Sequence, residues 1–180
     1  MNTDNTAQTT LATWIAQERA VRATAGAHAG LATREQVAGK TGLEIMQAML
    51  RGELPYPHIA DTMDFVCLEV ALGKTVFQGT PQLKHFNPLG TVHGGWYATL
   101  LDSAVGCAVH TTLPAGVGYT TAELSVNIVR AANLQTGLLR VTGTVIHAGR
   151  QLATAEGRIV DAAGKLYAHA TTTCLVFAAK

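Results

Sequence analysis

Hydrophobic and polar positions divide the chain into a helical front and a strand-rich remainder. Leu11, Trp14, Ile15 and Val21 recur at helical spacing and predict a helix over 11–24, broken up afterwards by Gly26, Gly30 and Gly39. Leu43, Met46, Met49 and Leu50 share one face and predict a second helix over 42–50. The two prolines within 53–60 predict an extended segment. From Asp64 the period changes. Segments 65–72 and 75–80 read as strands joined at Gly73-Lys74, and a loop, PQLKHFNPLGTVHGG, follows. The stretch 96–109 is apolar nearly all round, which predicts a helix buried on most sides. Four more strands are predicted at 119–129, 138–146, 152–160 and 166–177, separated by AANLQTG, HAGR and DAAGK. Short connections between consecutive strands imply antiparallel pairing, so the expected class is α+β, one long helix against an antiparallel sheet. Residues 1–40 read as an N-terminal helical extension of a domain spanning 41–180.

Composition adds an expectation of association. Only 14% of residues are charged, against about 25% in average proteins, and a charge-poor surface favours burial against a partner. The formal net charge of +1 argues against nucleic acid as a partner. Cys67, Cys107 and Cys174 are widely spaced and match no disulfide or zinc pattern, which fits reduced thiols in a cytoplasmic protein. No apolar run reaches membrane-spanning length, and the first residues lack the basic and apolar regions of a secretory signal.

Against this background one side chain stands out. Asp102 is the sole charged residue between Gly94 and Val109, and no Lys or Arg lies three or four positions away. Two readings stand side by side. Asp102 is either a structural carboxylate bonded to neighbouring hydroxyls such as Thr99 and Ser103, or a general base or nucleophile. The helix entrance carries Asn87, His93, Gly94 and Gly95. Its glycines permit close approach of a ligand, and its free N–H groups suit a carbonyl oxygen that becomes negative during reaction. Gly94 and Asp102 are eight residues apart, roughly 12 Å along a helix, beyond the reach of an aspartate. If both serve one reaction, two chains must set their helices antiparallel in a two-fold dimer.

The run Asn87-Pro88-Leu89-Gly90-Thr91-Val92-His93-Gly94-Gly95, with Asp102 on the following helix, resembles the hotdog-fold acyl-CoA thioesterases, most of all the phenylacetate-degradation type. The runs His147–Gln151 and Asp161–Ala168 resemble the C-terminal strands of the same family, so the likeness covers about 42–177. It implies a hotdog fold, an antiparallel sheet wrapped round one long central helix. It also implies hydrolysis of an acyl- or aryl-CoA thioester. Asp102 would act as general base or nucleophile, and the Gly94 N–H of the partner subunit would polarise the carbonyl. Asn87 would orient water or substrate, and His93 would hold the thioester end and its loop. Thr121 would assist the carboxylate, with Thr120 as the alternative one residue away, and Gly95 would line the substrate. Shared sites would make a homodimer, pairing again into a homotetramer. Coenzyme A enters as part of the substrate, with no resident cofactor and no metal, and Arg150 and His147 are candidates for its phosphates. Some relatives carry Ser or Thr where this chain has Gly106, which suggests a widened acyl pocket here. A dehydratase or hydratase of the same fold and a non-catalytic acyl-CoA-binding module remain as alternatives. His28, His58, His85, His110 and His169 receive no role.

Overall fold

The computed structural model describes residues 3–25 and 29–179; Gly26 and His28 lie outside the described residues. Four helices precede the sheet: α1 (Thr3–Ala25), α2 (Arg34–Val37), α3 (Gly42–Leu50) and α4 (His58–Met63). Strands β1 (Phe65–Ala71) and β2 (Lys74–Gly79) form a hairpin, and a short 3-10 turn occupies Leu83–His85. The central helix α5 (Gly94–His110) follows, then β3 (Val117–Ile128), β4 (Leu139–Ala148), β5 (Leu152–Val160) and β6 (Leu166–Ala178). The six strands form one antiparallel sheet in the order β1-β2-β4-β5-β6-β3. The expected fold class is present, an antiparallel sheet around one long helix. The pairing is not consecutive throughout. β2 pairs with β4, and β3 crosses to the far edge to pair with β6.

The closeness of α5 to the sheet has a sequence cause. Thr75, Gly143, Gly157 and Ala170 stand in register across four neighbouring strands, giving a row of small residues. The helix settles into this trough. The Thr75 hydroxyl donates to the Ala104 carbonyl at 2.8 Å. A Cβ on Gly143 would run into that same carbonyl, and one on Gly157 would meet Val105 Cγ1 at 2.8 Å. Leu100, Leu101, Ala104, Val105, Ala108 and Val109 are consequently fully buried. Gly143→Ala is expected to destabilise the fold by roughly 2–3 kcal/mol or more, because backbone cannot rotate away as a side chain can. A thermal melt reads this as a fall of several degrees, and an unchanged Tm would contradict the trough.

Two local expectations need correcting. Of residues 53–60, Glu53 and Leu54 form a bend and only 55–57 run extended, with Pro57 serving as N-cap of α4. Proline is disfavoured inside helices but tolerated at their starts, so the second proline opens a helix. The N-terminal helix is also longer than its apolar spacing indicated, beginning at Thr3. It packs on the outer face of the sheet. Gln78, fully buried on β2, donates from Nε2 to the Trp14 carbonyl at 3.2 Å and to Glu18 Oε2 at 2.7 Å. Arg140 on β4 donates to Gln78 Oε1 and to Gln17 Oε1, and its guanidinium lies 4.2 Å from the centre of the Trp14 ring.

Candidate active site

The entrance to α5 is built by a loop that holds itself. Asn87 Oδ1 accepts from the N–H groups of Leu89 at 2.9 Å and Thr91 at 3.2 Å, while Nδ2 donates to the Thr91 hydroxyl at 2.9 Å. Its backbone N–H donates to the Thr91 carbonyl at 2.8 Å. Asn87 therefore closes the Asn-Pro-x-Gly turn with the groups that would otherwise be offered to water. His93 is the N-cap of α5, and its Nδ1 accepts from the Gly95 N–H at 2.8 Å. That bond occupies the Gly95 amide, so Gly95 presents no open donor to a ligand. The Gly94 N–H, at the first helical position, donates to no group among the described residues. It is the free amide at the positive end of a 17-residue helix.

Asp102 sits half-buried in the middle of α5. Its Oδ1 accepts from the Thr121 hydroxyl at 2.9 Å, and no hydrogen bond reaches Oδ2 among the described residues. Thr121, not Thr120, therefore faces the carboxylate. Thr120 is exposed on the opposite face of β3. A bulge between Thr121 and Glu123 disturbs the strand alternation here. Neither anticipated helix hydroxyl bonds to Asp102. Thr99 donates instead to the Gly95 carbonyl at 2.8 Å.

Neutral groups surround the carboxylate. The ion pairs among the described residues are Arg22 with Glu18, Arg22 with Asp64, and Arg51 with Glu53, so no cation pairs with Asp102. Burial, and next the charge of Asp102, pushes the Cys107 thiol up to about 12. Burial likewise raises the Tyr119 phenol well above its ordinary range, and the Cys174 thiol is raised for the same reason. The free thiols are thus protonated, and no disulfide joins them. Gly106 does not widen a pocket. The Tyr119 ring fills the space over it, with the hydroxyl 3.2 Å from where a Cβ would stand.

The cavity lies on the neighbouring stripe of α5. Ser103, Cys107 and His110, at i, i+4 and i+7, form its floor, beginning one residue beyond Asp102. Its volume is about 330 Å³, and its lining is mostly apolar, with Phe65 and Phe77 among it and Arg22 as a charged member. Burial lowers the His110 pKa, keeping the imidazole neutral at the cavity wall. The i, i+4, i+7 spacing was present in the sequence, but nothing in it distinguished a cavity floor from ordinary core. His147 and Arg150 are exposed at the β4–β5 turn, apart from the Asp102–Thr121 pair. Among the described residues no group of three His, Cys, Asp or Glu is placed to hold a metal ion, and no helix is long and apolar enough to cross a membrane.

The chain matches the thioesterase superfamily over residues 89–168. A curated candidate esterase from Caenorhabditis elegans is 31% identical over 104 residues, which cover 58% of this chain and 59% of the relative. The chain therefore matches about three fifths of that relative's length. Among solved structures, a phenylacetic acid degradation-related protein from Ralstonia eutropha JMP134, named as a candidate thioesterase, is 33% identical. The likeness covers 72% of this chain and 97% of that one, with a TM-score of 0.65. A hypothetical thioesterase from Streptococcus pneumoniae TIGR4, crystallised with coenzyme A, is 25% identical over 64% of this chain and 90% of its own, with a TM-score of 0.58.

Proposed function

The chain belongs to the thioesterase superfamily, within it to the phenylacetate-degradation type, and from that premise we propose that it hydrolyses acyl- or aryl-CoA thioesters to a free acid and coenzyme A at a site shared by two subunits. The observation that carries this reading is Asp102: an unpaired carboxylate with one oxygen fixed by Thr121 and the other open, beside an apolar cavity. In this reading Oδ2 takes a proton from water as the water oxygen attacks the thioester carbonyl. The C–S bond then breaks and coenzyme A leaves as the thiolate, which recovers a proton. Alternatively Oδ2 attacks the carbonyl itself, expelling the thiolate and leaving a mixed anhydride that water hydrolyses. In both routes the carbonyl oxygen becomes negative and needs a donor, which the free Gly94 N–H supplies.

That donor must come from a second subunit, since Gly94 and Asp102 of one chain are separated by roughly 12 Å of helix. The β3 edge supports such a dimer. It is a 12-residue edge strand with no proline, lysine or arginine and with Glu123 as its sole charge. Apart from the bulge at Thr121–Glu123 and that one charge, the edge carries none of the usual blocking devices, and a strand of this length is suited to pair with its own copy. Antiparallel self-pairing places the two α5 helices side by side in opposite directions. Exposed Leu152, Leu175 and Phe177 on the outer face support a further pairing of dimers into a tetramer.

Within this scheme Asn87 shapes the loop that presents His93 and Gly94, and His93 caps the helix so that Gly94, not Gly95, is the free donor. Arg150 and His147 are assigned to the phosphates of coenzyme A. The deciding experiment is a panel of CoA thioesters followed by free-thiol release. Steady hydrolysis is expected. Binding without release would favour an acyl-CoA-binding module, and hydration of an enoyl thioester would favour the hydratase alternative.

A further inference from the structure

The cavity's far wall comes from the N-terminal helices, which lie before the matched span that begins at residue 89. Met46, Met49 and Leu50 of α3 and Tyr56 line it, and among the described residues Arg22 of α1 is the one charged side chain that does so. Arg22 is exposed, but its guanidinium is held on two sides. Its Nε donates to Glu18 Oε1 at 2.8 Å and its Nη2 to Asp64 Oδ1 at 3.1 Å. Asp64 is fixed in turn. It is the C-cap of α4, in the left-handed region with φ 52°, and its other carboxylate oxygen accepts from Gln82 Nε2. The helix that carries Arg22 is tied down away from the cavity by Gln78 and Arg140. If α1 left, the buried Gln78 Nε2 would lose both of its acceptors, Trp14 and Glu18, and keep only the Arg140 bonds to its oxygen.

We propose that α1 is the outer stop of the acyl site and that Arg22 is the specificity-determining residue, restricting the enzyme to compact acyl groups. This rests on the thioesterase reading above. An acyl group that starts at Asp102 and runs past Ser103 and Cys107 meets the guanidinium at the far side. About 330 Å³ holds on the order of ten non-hydrogen atoms at roughly 30 Å³ each, enough for one ring or a medium chain. A longer chain would have to push methylenes against a twice-paired guanidinium. That would break ion pairs or strip the cation of water, without recovering apolar contact.

The test is the dependence of kcat/KM on acyl length, from butyryl- to myristoyl-CoA with phenylacetyl-CoA included, using the full chain. The parent is expected to favour hexanoyl, octanoyl or phenylacetyl groups and to fall sharply at lauroyl. Arg22→Ala is expected to raise the lauroyl-to-hexanoyl ratio by about 10-fold or more, the usual scale for pocket-size discrimination. Arg22→Lys is expected to keep the parent's cut-off. Met49→Phe reads the same cavity in the opposite sense. It is expected to lower octanoyl turnover by about 10-fold while sparing butyryl. If the parent hydrolyses thioesters but Arg22→Ala keeps its length profile, the inference is overturned, and if Met49→Phe keeps it as well, the cavity is not the acyl site. A parent that hydrolyses no thioester at all overturns the reaction itself, a distinct result.

Discussion

Asp102→Asn is expected to lower kcat by about 10³-fold, within the range that a positioned acid–base group contributes, while leaving the fold and the oligomer unchanged. The amide keeps the shape of the carboxylate. Its oxygen can still accept from the Thr121 hydroxyl, which now fixes Oδ1 at 2.9 Å. Asn and Asp have similar helix propensities, so α5 loses little by the exchange. No ion pair is broken, because the ion pairs among the described residues leave Asp102 out. What disappears is the open oxygen that accepts a proton or attacks the carbonyl. Thiol release from a thioester gives the rate, circular dichroism the fold, and gel filtration the assembly. A variant that keeps more than a tenth of the parent's kcat would remove Asp102 from the chemistry.

The parts of this arrangement legible in the sequence are those set by local period and by charge. The strands β4 to β6 follow one another through short turns, and their alternation predicts both the elements and their pairing. Asp102 is legible because it is the one charge in the most apolar segment, and Gly94 because the histidine and glycine pair mark a helix start. Strand order is different. Whether β3 pairs with β4 or crosses to β6 depends on how the sheet wraps round α5, which no single segment encodes. The assignment of Thr121 over Thr120 turns on a face choice beside a bulge, where alternation is least reliable. Gly106 misled for a similar reason. The missing side chain is replaced by the Tyr119 ring from another element, so a small residue did not mean empty space. The Gln78–Arg140–Trp14 cluster that anchors α1 joins three separate elements, and none of its members is unusual alone.

The shared site can be tested without knowing the interface, through Gly94→Pro. Proline is well suited to the first position of a helix, where its missing N–H would have had no intrahelical partner. His93 already holds φ −62° and ψ 138°, the extended conformation that a following proline requires. A Cβ at position 94 meets only Ile128 Cδ1, at 3.2 Å, the movable end of a side chain. The substitution therefore removes one amide hydrogen with little change to the fold. Losing one such donor is expected to cost about 10²–10³-fold in kcat. Gly94→Pro and Asp102→Asn chains, each nearly inactive alone, are then unfolded together and refolded at equal amounts. Half of the resulting dimers are mixed, and each mixed dimer holds one site with an intact Asp102 and an intact partner Gly94. Activity should return to about a quarter of the parent's, because a two-fold dimer builds each site from both chains. If both groups acted within a single chain, mixing would restore nothing. If Gly94 played no part, the Gly94→Pro protein would be active by itself.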